Sequence, residues 1–531
     1  MRSGTRSFGT SHTHRFRGSS ARKHRAAAEW IEELSIERSE DHAQLAAHHW
    51  LQALDLSRAV GAVDADLEAR ARVALVVAGD RAFRLGATSA AAELYGHALA
   101  LVSDDDPERP SLLLRHGRAV SQTGVDADAE LADATEQLLA AGDVEQAVEA
   151  ISARAWLAWN QGGADNTFAL FRRGLSLVED LPASATKAQL HGDYAINVML
   201  KGRVDEAIRH ATIELDIARE IGADVHRANG LITLGTSRAG WDHDRAGLAE
   251  VEEGLELARR LGEGQLVLRG YKNLQSLLGL HAELDRARSV VEDGMRTAAR
   301  LGDFHHIGWF QVERGLFAYL GGEWDAAVAS IREFLDSVGD RAHYMIGPAH
   351  IELGRMAVER GQNAEGVRDS TTGLGFARDV RDHQVLMPAL VSHACVLIRT
   401  GRAEEAHAIL DEYLGVVDLP DYSVVDAALA LTSLDRAHDF ERLGRPAQLT
   451  PWGAAATALV AGDHAAAAAR FEQIGARVYE AETRLRFAAR LAADGRLTEA
   501  EREARKAAAI FHRAGAAPRV VEAEAVMRAS A

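Results

Sequence analysis

Tyr194-Ala-Ile-Asn-Val-Met-Leu-Lys-Gly-Arg-Val-Asp-Glu-Ala-Ile-Arg-His-Ala211 carries two apolar stripes at helical spacing with one interruption between them. The first runs to Leu200, Lys201-Gly202-Arg203 breaks it, and the second resumes at Val204 and continues to Ala218. Glycine costs about 1 kcal/mol inside a helix relative to alanine, so Gly202 reads as a turn between two helices. Comparable marks recur at Gly86, Gly124, Gly163, Trp241, His281, Gly321, Gly361 and Gly401, and the gaps along the whole series are 38 to 40 residues. Five or six residues after most of them stands another small residue: Ala91, Ala207, Ala246, Ala287, Ala326, Gly366 and Ala406. Neither helix of such a pair can bury its stripe alone, and a fixed period of this size predicts stacked pairs. The expected fold is all-α: a right-handed α-solenoid of helix-turn-helix pairs, with the small residue allowing close approach within each pair.

The stretch Gly86-Ala-Thr-Ser-Ala-Ala-Ala-Glu-Leu-Tyr-Gly-His-Ala-Leu99 resembles the turn and second helix of a tetratricopeptide repeat, through Gly86, Ala91, Tyr95, Ala98 and Leu99. Gly202 to Ala207, Gly401 to Ala406 and Gly495 to Ala500 match the first half of that pattern. The period departs from it, at about 40 residues against about 34 for the standard repeat. A second likeness lies at the ends. Arg25-Ala-Ala-Ala-Glu-Trp30, Asp41-His-Ala-Gln-Leu-Ala-Ala-His-His-Trp50 and the tail Ala509 to Met527 are similar to the C-terminal helical arms of large bacterial ATP-binding signalling regulators, some of which carry a nucleotide-cyclase domain. The catalytic parts of those proteins are missing. No G-x-x-x-x-G-K-S/T phosphate loop occurs, and no paired-aspartate metal site of cyclase type can be assigned. The resemblance therefore implies the arm without its ATPase or cyclase domain, and an ATPase module on a separate chain as one partner.

Composition narrows the function classes. With 9 prolines, 6% aromatic residues and no long alternation of β-branched residues, the 531-residue chain favours helix throughout. A net charge of −18 opposes a general nucleic-acid surface, which rests on Lys and Arg neutralising phosphates. No apolar run approaches the roughly 18 uncharged residues of a membrane span. The most apolar stretch, Leu266 to Leu280, holds Arg269 and Lys272 and reads as a solenoid helix. A single cysteine, Cys395, excludes an internal disulfide and fits a cytoplasmic location.

Four segments are expected. Residues 1–22, with Arg2, Arg6, Arg15, Arg17 and Arg22 and no acid before Glu29, form a disordered basic leader. Residues 23–62 form a helical lead-in, whose Trp30 and Trp50 are candidates for self-association as a homodimer. Residues 63–418 are the tetratricopeptide-like solenoid. Residues 419–531 add further pairs around Gly462 and Gly495, with Thr450-Pro-Trp452 restarting a helix and the helix after Pro518 capping the stack.

No catalytic constellation is present: the chain has no H-E-x-x-H, C-x-x-C or G-x-S-x-G. No cofactor or metal is expected. His48 and His49 are adjacent, so their side chains diverge on a helix, and His343 and His350 are separated by a helix-breaking Pro348. The remaining candidate is a groove. Positions twelve, eight and five before each turn share one face of the first helices, giving Tyr194 and Asn197, then Asn229, Thr233 and Thr236, then Arg269, Asn273 and Ser276, then Trp309 and Glu313, with His393 further on. That face is polar where its neighbours are apolar. It reads either as a solvated surface or as a groove in which Asn and Arg hold a protein or peptide backbone and Trp309 anchors it. The expected function is a non-catalytic scaffold or sensor arm in bacterial signal transduction or transcriptional regulation. The alternative is a receptor whose solenoid changes curvature around a small effector.

Overall fold

The computed structural model describes residues 8–34, 42–62, 65–161, 163–339, 341–380, 382–416, 423–444 and 450–530. Among them there is no strand, and no helix is long and apolar enough to cross a membrane. The chain divides into two compact units, Met1–Tyr194 and Ala195–Ala531, so the boundary falls inside the stretch expected to be one continuous solenoid.

The first unit begins with α1 (Phe8–Leu34) and α2 (Ala43–Arg58). It continues through α3 (Ala65–Arg84), α4 (Thr88–Leu99), α5 (Arg109–Ser121), α6 (Asp128–Ala140), α7 (Val144–Asn160) and α8 (Ala164–Val178) to α9 (Ala185–Leu200), which crosses the boundary. From α1 to α8 each helix packs on the next in sequence. The disordered leader needs correcting from Phe8 onward: Arg17 and Arg22 lie on α1, which runs unbroken into the lead-in. Residues 1–7 fall outside the described set. Helix α1 is held because it buries Ala21, Ala28 and Ile31, and Arg25 pairs with Asp66 at 2.8 Å. Trp50 is fully buried with its indole N–H donating to Glu32 at 2.7 Å, while Trp30 is 60% exposed.

The second unit stacks α10 (Val204–Ile221) and α11 (Asp224–Gly240), then α12 (Ala246–Leu261) and α13 (Gly264–Leu280), then α14 (Leu284–Leu301) and α15 (Phe304–Gly321). It goes on with α16 (Trp324–Val338) and α17 (Ile346–Glu359), then α18 (Asn363–Val380), α19 (His383–Arg399) and α20 (Ala403–Val416). In register with the sequence repeat the pairs are α11–α12, α13–α14 and α15–α16, and the turn before each second helix, α10 included, takes one left-handed residue. Gly202 supplies it with φ +71°, but after Trp241 and His281 the role passes to His243 and Ala282, at +54° and +62°. In the next repeat it belongs to Gly322 rather than Gly321. The small packing residue shifts with it: Ala327 is fully buried where Ala326 is exposed, and Gly247 is buried where Ala246 is exposed. At Gly247 the approach is close enough that an added methyl would lie 2.4 Å from the Gly235 carbonyl oxygen, so only glycine fits.

The last helices do not simply extend the stack. Helix α21 (Val424–Ser433) is followed by a 3-10 helix (Ala437–Leu443), then α22 (Pro451–Val460), α23 (His464–Ile474), α24 (Arg477–Ala493), α25 (Leu497–Ala514) and α26 (Ala517–Ser530). Thr450 caps α22 by accepting from the Gly453 N–H at 3.0 Å, with Pro451 in the first turn. These helices return onto the first helices of earlier repeats: α21 packs on α19, α24 on α15 and α26 on α17. Trp452, 2% exposed, donates its indole N–H to the Gly279 carbonyl at the end of α13, 173 residues away. The helix expected to cap the stack, α26, packs on α25, α24 and α17.

Candidate partner-binding groove

The candidate face lies on α11, α13 and α15, and much of it is occupied by bonds between repeats. Asn229 donates to Glu214 at 2.9 Å and accepts from the Arg269 guanidinium, whose other arm reaches the Thr233 hydroxyl at 2.7 Å. One turn further on, Asn273 donates to the Thr236 hydroxyl at 3.0 Å. Thr233 and Thr236 in turn donate to the carbonyls four residues back. Equivalent positions in successive repeats thus form a polar ladder along the stack. Thr233 is wholly buried, whereas Asn229, Thr236, Arg269 and Asn273 are half-buried and Ser276 is exposed.

Below the ladder, α15 contributes an aromatic platform. The half-buried Trp309 stacks on Tyr344 with ring centroids 5.3 Å apart and planes 12° from parallel, and Tyr344 donates to Asp382 at 2.8 Å. The Lys272 ammonium lies 4.8 Å from the centroid of the Trp309 ring. One turn along α15, burial raises the Glu313 carboxyl to about 7, with a hydrogen bond from Gln275 opposing the shift and Glu352 adding to it.

Besides the wholly buried Thr233, three of the sequence-derived positions are buried. Tyr194, in the first unit, is 3% exposed and packs edge-to-face against Phe168 and Phe171. Asn197 is fully buried. His393 is 6% exposed and turns toward α18, bonding the Ser370 hydroxyl at 2.9 Å, and burial holds its imidazole down to about 4. Tyr194 and His393 hold the same register as Asn273, eight residues before the turn mark, so spacing alone does not separate a covered position from a half-buried one.

Sequence reasoning missed a second polar centre, deep between α17, α19, α21 and α24. Arg355 pairs with Asp426 at 2.9 Å and Glu352 at 3.3 Å, and bonds the Tyr479 hydroxyl at 3.0 Å. Tyr479 and Ser392 both donate to Asp426, at 2.9 and 3.2 Å. Beside it, Arg519 is 3% exposed and joins α26 to Glu359 of α17 and Glu482 of α24. Arg355, Asp426, Tyr479, Glu359 and Glu482 border a cavity of about 80 Å³ that also touches Cys395. Burial pushes the Cys395 thiol well up, so it is a packed side chain and not an activated nucleophile. The only sequence signal was charged residues on otherwise apolar helices.

The histidines also separate into structural roles. His343 precedes α17 and bonds the His305 carbonyl at 2.9 Å, while His350 pairs with Asp369 at 3.0 Å. Among the described residues no group of three or more His, Cys, Asp or Glu is placed to hold a metal ion.

No family model matches the chain, and no curated protein matches it. Among solved structures it is similar to a Rap protein complexed with competence and sporulation factor, at 12% identity over 65% of this chain and 97% of that one, with a TM-score of 0.48. It is similar to the APC/C hetero-tetramer Cut9–Hcn1 at 13% identity, covering 83% of this chain and 86% of that one, with a TM-score of 0.44. A signal-transduction ATPase with a tetratricopeptide repeat sensor from Pyrococcus horikoshii gives 12% identity, 78% and 56% coverage and a TM-score of 0.39. At these identities and scores the fold assignment rests on the chain's own helix pairs. Those pairs, in register and packed in sequence, make it a tetratricopeptide-like α-solenoid.

Proposed function

We propose that this chain is a non-catalytic, protein- or peptide-binding scaffold or sensor arm, acting in cytoplasmic signal transduction or transcriptional regulation. The observation that supports this reading is the face on α11, α13 and α15. It offers Asn273 and Ser276 with spare hydrogen-bonding capacity at the water-facing edge of the ladder, beside a pre-stacked Trp309–Tyr344 platform. An aromatic platform fixed before binding presents apolar area at little entropic cost, and side-chain amides suit an extended backbone.

The test is selection from a randomised peptide pool on the full chain, beside a Trp309→Ala, Asn273→Ala double variant. The expected result is peptides retained by the parent and lost from the variant, with amide exchange slowed across α11, α13 and α15 together. Equal retention by both proteins overturns the groove. Protection confined to one repeat points instead to a small effector.

A further inference from the structure

Lysine is scarce in this chain: there are five among 60 basic residues, at positions 23, 187, 201, 272 and 506. Four stand on the surface or near chain turns; Lys187, for example, donates to the Glu179 and Leu181 carbonyls, and Lys506 reaches Glu503. Lys272 is placed differently. It lies nine residues before the turn mark His281, and the positions nine before Trp241 and Gly321 are Ile232 and Val312, which are 0% and 2% exposed. A lysine therefore occupies a register that both neighbouring repeats fill with buried aliphatic side chains. In other repeats the same register holds the buried Asp193, Glu352 and Ser392, so polar residues are admitted there and it is its surroundings that set Lys272 apart.

The surroundings of Lys272 sharpen that point. Among the described residues no carboxylate lies within ion-pair distance of its ammonium. Its charged neighbours are cationic or potentially so, Arg269 on its own helix and His305 on α15. Burial, with a smaller contribution from Arg269, lowers the lysine to about 8, so it still carries its charge for most of the time near neutrality. The ammonium sits against the Trp309 ring, whose own indole N–H is buried and unbonded, as is the Gln275 side-chain carbonyl one turn along α13. An uncompensated cation and a spare donor meet at Trp309, at the foot of the polar ladder, with a spare acceptor one turn along α13.

We propose that Lys272 is the receptor for a carboxylate carried by a peptide lying in the α11–α13–α15 groove. The ammonium supplies the charge, and Trp309 supplies the wall and a second donor, its indole N–H. A charge-assisted bond in this partly desolvated place is strong because water competes little for either partner. This assignment rests on the groove reading above and adds the chemistry the groove selects.

The experiment compares two pools of short peptides with randomised flanks, one with a central Glu and the other with a central Gln, on the full chain and on Lys272→Met. In parallel, reductive methylation with a carbon-13 label gives each lysine its own resonance, and Lys272→Met identifies that of residue 272. The expected result is retention of the Glu pool over the Gln pool by about tenfold or more. Lys272→Met loses that preference, and the Lys272 resonance titrates at higher pH with the Glu pool bound. The methionine variant is also expected to melt at higher temperature than the parent, so lost binding cannot be ascribed to misfolding. Equal retention of both pools, unchanged in Lys272→Met, leaves the groove standing and overturns the carboxylate receptor. A Lys272 resonance that moves with sodium acetate or inorganic phosphate while neither pool is retained means a small-anion site, and overturns the peptide assignment. No response to any probe removes both readings.

Discussion

The first helices of the second unit solve one packing problem in two ways. On α11 and α13 the inner face is bonded by amides and hydroxyls around one cation, the Arg269 guanidinium, whose acceptors Asn229 and Thr233 are neutral. On α17 and α19 the same face is covered by α21, α24 and α26, and the contact is made by buried ions centred on Arg355, Asp426 and Arg519. Such a ladder tolerates an open, hydrated surface because its half-buried members can exchange their bonds for water at little net cost. A buried ion cluster cannot, since opening it one partner at a time leaves charges in an apolar setting. The covered half is thus held closed by its ions, while the open half keeps bonds that water can replace.

The largest expected effect breaks the covered half. Arg355→Leu leaves Asp426 and Glu352 buried without their cation, and should cost about 3–5 kcal/mol in chemical denaturation of the full chain. A cost below about 1 kcal/mol would show that the returning helices are held by apolar packing alone.

A control sharpens the comparison at the next size down. An added methyl on Gly235, in the open half, would meet the Gly247 carbonyl oxygen at 2.4 Å, and one on Gly354, in the covered half, would meet the Gly366 carbonyl oxygen at 2.8 Å. Gly235→Ala and Gly354→Ala should each destabilise by about 1–3 kcal/mol, because both halves share this helix-pair contact. Marked inequality in their melting shifts would place the difference between the halves in pair packing instead.

Arg269→Met should cost only about 1 kcal/mol, as its released acceptors Asn229 and Thr233 lie on a ladder edged by water or bond elsewhere. Urea titration beside Arg355→Leu gives the ratio directly.

The smallest effect is one of slope. Glu313 titrates near 7 when folded against an ordinary 4.5, because burial disfavours its charge. Between those values the folded chain holds a proton that the unfolded chain has lost, so this group's stabilisation falls as pH rises through that window. Glu313→Gln should flatten the decline in stability between about pH 4.5 and 7, and a profile identical to the parent's would contradict the burial of the carboxyl.

Much of the helix pairing was legible because it is local. Gly202 and Ala207 lie five residues apart, and their turn and close contact depend on nothing distant. The period blurred where local chemistry varied: Ala326 and Ala246 gave way to Ala327 and Gly247 once His243 and Gly322 took the left-handed position. Left-handed glycines ending the second helices, at Gly222, Gly262 and Gly302, carry the same spacing of 40 and would have fixed the register independently. Of the groove residues, those on α11, α13 and α15 share a face as the 3.6-residue period requires, whereas His393 turned inward because Ser370 offers a bond from the neighbouring helix.

The sequence by itself determined the helices, their pairing and the close-packed turns, since propensity, periodicity and glycine placement act over a few residues. Only the tertiary structure decided which stretch of the inner face stays open. That choice depends on Arg355 meeting Asp426 and Tyr479 across 71 and 124 residues, and on Trp452 reaching Gly279 across 173. No periodic pattern encodes such meetings, because they are fixed by where the accumulated stack carries its later helices rather than by any segment's own preference.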